Sequence, residues 1–144
     1  MITFGSKRGF SLIVDEYLKF IDVRLIVHKN ETQDHIKEFG VRMVAHGHQV
    51  GKIRTDLVAE FVKDKAFQKW LLDQHFVQEA LAPYQKNQNG VVECHIQTIE
   101  DWMTTILTQS GLGMKFWGEA ILCAVATWNV TTGQKTSPFE VITG

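Results

Sequence analysis

The chain has 144 residues, 44% hydrophobic and 22% charged, which is the length and apolar content of one globular domain with its own core. Its formal net charge of −1 excludes the strongly basic field that by itself marks a DNA-binding protein. Its two cysteines, Cys94 and Cys123, form neither a CxxC pair nor a Cys/His ligand spacing, which excludes zinc modules and disulfide scaffolds.

Residues 1–9 read as a loop or arm. Phe10–Val14 (FSLIV) is an apolar run of strand length, and Lys19–His28 (KFIDVRLIVH) is a second. In the second, Phe20, Asp22 and Arg24 alternate against Ile21, Val23 and Leu25, so the pair reads as an antiparallel hairpin. Asn30 is placed as a helix N-cap, with Gln33 as half of a capping box. Ile36, Phe39, Met43 and Val44 lie at helical spacing, which predicts an amphipathic helix over Glu31–Ala45 ended by Gly47. Val50–Thr55 reads as a strand leading to Asp56, Ala66–His75 as a helix, and Phe76–Leu81 as a short strand.

The segment Ala82–Glu93, APYQKNQNGVVE, is polar and turn-forming and opens the next helix. Glu93 stands in the first turn of that helix, where the dipole favours an acid. Ile96, Ile99, Met103, Ile106 and Leu107 form an apolar stripe down to Gly111 and Gly113, and Phe116–Val130 is a last, largely apolar helix. Without a membrane-length apolar run or a leader pattern, the expected setting is intracellular, nuclear or cytoplasmic.

Ala82, Pro83, Tyr84, Gln88, Asn89, Gly90, Val91, Glu93 and Thr98 match, in order, the segment APYTPQQNGVAERKNRT. That segment closes the catalytic motif of Copia-type LTR-retrotransposon integrases, the D,D(35)E group, and the sequence resembles that family along most of its length. Family members carry a strand ending in LRSDNGGEF; here Ile53, Arg54, Asp56, Glu60 and Phe61 correspond, with Leu57-Val58-Ala59 in place of Asn-Gly-Gly. The closing FWGEAI and Ser137-Pro138-Phe139-Glu140 resemble the family's FWAEAV and TPYE.

The resemblance implies an α/β, RNase H-like mixed sheet flanked by helices, with residues 1–144 as an integrase catalytic core. It implies two divalent ions, Mg²⁺ or Mn²⁺, held by clustered carboxylates for phosphoryl transfer. The second and third carboxylates map onto Asp56 and Glu93, with 36 residues between them. The first carboxylate lies in the family on a strand upstream of the one that Phe10–Val14 resembles, so that strand and its aspartate are expected to be missing. Asp15 is the nearest substitute, but it reads as a turn acid; Asp22 is mid-strand.

The charge is uneven. Residues 1–69 carry 12 Lys/Arg and 9 Asp/Glu, whereas residues 70–144 carry 3 and 7. The family's basic run after the glutamate, ERKNR, is ECHIQ here. DNA contacts are therefore expected to be weak and non-specific, made by Lys52, Arg54, Lys63 and Lys65, with Lys7 and Arg8 as further cations. The expectation is an integrase remnant whose DNA strand transfer is weak or lost. The alternatives are a non-catalytic nucleic-acid-binding or dimerisation module and a weak metal-dependent nuclease. A homodimer would use helix faces carrying Trp102, Trp117 or Trp128, residues that core packing accounts for more simply.

Overall fold

The structure is a computed structural model that describes residues 6–55, 63–80, 90–131 and 137–143. Two apolar runs around a tight turn make the hairpin β1 (Gly9–Val14) and β2 (Ile21–Ile26), antiparallel with Gly9 opposite Ile26 and Val14 opposite Ile21. Asp15 builds the turn. Its Oδ1 accepts the N–H of Tyr17 at 3.0 Å and of Leu18 at 2.7 Å, and its carbonyl accepts Lys19 N–H at 2.8 Å. That is an Asx turn, the role its position predicted.

Because side chains alternate along a strand, the hairpin offers two different faces. Phe10, Leu12, Val14, Ile21, Val23 and Leu25 pack against α3 (Gly90–Ser110) and α4 (Trp117–Thr131) around Ile99, Leu107, Ile121 and Ala124. The opposite face, with Ser11, Asp22 and Arg24, meets α1 (Glu31–Ala45). Two smaller clusters lie on that side. Phe20, Phe39 and Met43 form one, and Ile36, Phe67, Leu71 and Phe76 the other, with Ile13 touching both.

The chain then forms β3 (Lys52–Thr55), α2 (Lys65–Asp73) and β4 (Val77–Ala80), and β3 runs parallel to β4 with Arg54 opposite Glu79. Asp64 caps α2: its Oδ1 accepts the N–H of Ala66 and Phe67 at 3.0 and 3.1 Å. Gly111, at φ +69°, ends α3, and a short α5 (Pro138–Thr143) closes the chain. No helix among the described residues is long and apolar enough to cross a membrane.

Three sequence expectations are corrected. The resemblance implies one mixed sheet holding the strands over Phe10–Val14, Lys19–His28 and Val50–Thr55, but among the described residues β1–β2 and β3–β4 are two separate pairs. Periodicity specifies which face a strand buries, not which strand it pairs with. Asn30 does not cap α1, since its backbone is already helical and its side chain makes no cap bond. Glu31, the first residue of α1, instead ties down the chain ahead of the helix, accepting the N–H of Val27 at 2.9 Å and His28 at 2.8 Å. Those hydrogen bonds hold its carboxyl below the usual carboxylate range. Val44 points to solvent, and the face it was assigned to is filled by His35 and Gly40.

Candidate functional site

β3 carries the chain up to Thr55, directly ahead of Asp56, which lies outside the described residues. Glu93 is the fourth residue of α3, in its first turn and exposed to solvent. A glutamate there is favoured by the helix dipole.

Arg54 places a fixed charge near the end of β3. Its guanidinium reaches Glu79 on the neighbouring strand, with Nη2 at 3.0 Å and Nε at 3.2 Å, and Glu16 in the hairpin turn, with Nη1 at 2.9 Å. The fork geometry of arginine suits such a double engagement. Arg54 thus ties β3, β4 and the hairpin together just before Asp56. Lys52, Lys63 and Lys65 are exposed, in keeping with solvent-facing cations. Among the described residues no three His, Cys, Asp or Glu side chains come together as a metal-ligating group. The described residues alone therefore do not make a two-ion magnesium site.

The outer face of α3 carries no cation. Glu93, Cys94, Gln97, Asp101, Thr104 and Thr105 are exposed, and Gln97 Nε2 donates to Asp101 Oδ1 at 3.0 Å. Thr98, Thr104, Thr105 and Thr108 each donate to the carbonyl four residues back, at 2.8–2.9 Å. These hydroxyls are spent on the helix itself. The inner face holds Trp102, which stacks obliquely on Trp128 at 5.8 Å; His95 meets the same ring edge-on at 5.2 Å. Trp128 Nε1 donates to the Lys19 carbonyl at 2.8 Å, and Trp117 is buried. All three tryptophans belong to the first core cluster or pack against it.

A polar cluster elsewhere had no sequence motif to announce it. Between the hairpin and α1, Ser11 Oγ lies 2.9 Å from His35 Nδ1, and His35 Nε2 lies 3.1 Å from Asp22 Oδ2. Arg42 also donates to Asp22, and Arg24 pairs with Glu38 beside it. Asp22, Val23, Arg24, His35, Glu38 and Arg42 line a small cavity of about 230 Å³. Burial raises the Asp22 carboxyl, but the hydrogen bonds from His35 and Arg42 and the Arg42 charge outweigh it and hold the group below the usual carboxylate range. The order Ser, His, Asp is that of a nucleophilic triad. Here, however, Ser11 is 6% exposed and lies outside the cavity lining, and the chain of contacts ends on Arg42, so the cluster fastens α1 to the hairpin.

A hairpin and a parallel strand pair, covered by helices, define a mixed α/β fold of the RNase H-like type. More particularly, it is the fold of retroviral integrase catalytic cores. A chain of the simian T-cell lymphotropic virus intasome, solved in complex with a PP2A regulatory subunit, superposes at TM-score 0.72 with 16% identity; the match covers 94% of this chain and 48% of that one. This chain thus spans about half the length of that neighbour. The HTLV-2 integrase catalytic core, solved with magnesium in a trimeric form, matches at TM-score 0.63 and 20% identity, over 91% of this chain and 82% of that one. The catalytic core of BIV integrase gives 0.62 and 16%, over 92% and 84%. No family model matches the sequence.

Proposed function

We propose that this chain is a diverged integrase catalytic core of the Copia type, in which metal-dependent DNA strand transfer is weak or lost. The observation that carries the reading is the coincidence of an integrase-core fold with Glu93 in the first turn of α3 and β3 leading into Asp56. Asp56 and Glu93 are the proposed metal-binding and catalytic carboxylates, with Mg²⁺ or Mn²⁺ as the ion and DNA as the substrate. Lys52, Lys63 and Lys65 are the proposed phosphate contacts; Arg54 supports the strand end, since a phosphate would have to displace Glu79 or Glu16 from it.

Two carboxylates hold two ions poorly, and in-line displacement needs both ions placed. Asp15 is the weaker candidate for the third, because its Oδ1 accepts two backbone N–H groups and so fixes the side chain in the turn. The cation-free outer face of α3 favours a second reading, a module that kept the fold and lost the chemistry. Nicking and strand-transfer assays with Mg²⁺ and with Mn²⁺ separate the two. Product that disappears in Glu93→Gln establishes the enzyme. No product, with thermal stability unchanged by millimolar Mg²⁺ in the parent and in Asp56→Asn alike, establishes the module.

A further inference from the structure

We propose that Tyr17 and Lys19, at the tip of the hairpin turn, dock an unpaired nucleobase of DNA and the phosphate beside it. The other side chains of the turn are already engaged. Asp15 Oδ1 accepts the N–H of Tyr17 and of Leu18, and Glu16 Oε1 accepts Arg54 Nη1 at 2.9 Å. Leu18 packs against the cluster of Phe20, Phe39 and Met43. What remains turned to solvent is the Tyr17 ring, 92% exposed, and the exposed Lys19, which enters no ion pair among the described residues. No other large apolar side chain among the described residues is as exposed as Tyr17. The backbone that presents them is fixed. Lys19 N–H donates to the Asp15 carbonyl at 2.8 Å, and the Lys19 carbonyl accepts Trp128 Nε1 at 2.8 Å.

Lys19 also stands at φ +61°, a left-handed backbone that glycine adopts at no steric cost and lysine does not. The turn alone would be better served by glycine, so what lysine adds at this position is its side chain. An aromatic face with a cation two residues on is the chemistry of single-strand binding: a base stacks on the ring and the ammonium meets a phosphate. Inside a duplex the faces of a base are covered by its neighbours, so the ring takes an unpaired one. The turn is joined to both elements that carry the proposed carboxylates. Glu16 engages Arg54, two positions ahead of Asp56 in the sequence, and Trp128, bonded to the Lys19 carbonyl, meets His95, two positions past Glu93. DNA as the ligand rests on the proposed function; the geometry of the turn does not.

The test is fluorescence anisotropy of the full chain at low salt, with a blunt duplex and with a duplex of equal phosphate count that ends in a single-stranded overhang. The expected result is tighter binding of the overhang. Tyr17→Ala should weaken that binding about tenfold and erase the preference, whereas Tyr17→Phe should keep it, because stacking uses the ring and not the hydroxyl. Lys19→Gly should lower the salt slope by about 0.7, the share of one single-strand phosphate, without lowering the unfolding midpoint. Unfolding curves of each variant show that binding and not folding has changed. A parent that binds neither DNA removes DNA as the substrate, and this surface with it. A parent that binds DNA without preferring the overhang, or a preference that survives Tyr17→Ala, overturns this surface alone.

Discussion

The Asp22 carboxylate receives His35 and Arg42 together, one at 3.1 Å from the imidazole and the other from the guanidinium, and so couples the start of β2 to two turns of α1. His35 is 2% exposed, and its other ring nitrogen is held by Ser11. The hydrogen bonds are the reason a histidine is tolerated on the buried face of an amphipathic helix.

Asp22→Asn should destabilise the protein by about 1–3 kcal/mol at neutral pH, since it removes a charge-assisted pair and leaves Arg42 unmatched. The folded-state pKa of Asp22 lies below its unfolded value. Its contribution is therefore fully present above the unfolded value, about 4, and is lost as pH falls through the lower folded value. Urea unfolding of parent and mutant between neutral pH and pH 3 should show the difference shrinking only below about pH 4. A difference that does not change with pH would mean that Asp22 acts by shape alone.

Asn129→Ala should cost about 2–3 kcal/mol, because both backbone groups of a buried strand residue lose their partner at once. Asn129→Asp should recover little, as it keeps the acceptor for Ile21 N–H and loses the donor to its carbonyl. Chemical denaturation of the three proteins measures this.

Gly40→Ala should destabilise despite the better helix propensity of alanine. An added Cβ would meet Phe76 at 3.0 Å and Trp70 at 3.3 Å, both rings of the second core cluster. Overpacking of that kind costs about 1–3 kcal/mol, against a propensity gain of about 1. A rise in the unfolding midpoint would show that the rings give way freely.

DNA binding should be weak, independent of sequence, and lost near physiological salt. Lys52→Ala should reduce the slope of log affinity against log salt by roughly one phosphate contact. Arg54→Ala should act chiefly on stability, by about 1 kcal/mol, because its guanidinium serves Glu79 and Glu16. Fluorescence anisotropy over a salt series, read beside unfolding curves, distinguishes the two. Tight binding that survives physiological salt would contradict the charge reading.

The sequence by itself determined the local elements and the faces they bury. Alternation in Ile21–Ile26, the stripe from Ile99 to Leu107 and the turn chemistry of Asp15 depend on neighbours a few residues away, and each appears as its pattern requires. It also placed Glu93 in a helix's first turn. The tertiary structure decided what depends on partners distant in the chain. It split the strands into two pairs, engaged Arg54 with Glu79 and Glu16, and closed Ser11, His35, Asp22 and Arg42 into one cluster. It turned Asn129 from an unremarkable helix residue into the cap of a strand edge 108 positions away. The physical reason is that periodicity records only whether a side chain faces the core. Which polar groups meet there is set when elements far apart in sequence pack together, and the cost of leaving any of them unpaired then selects the arrangement.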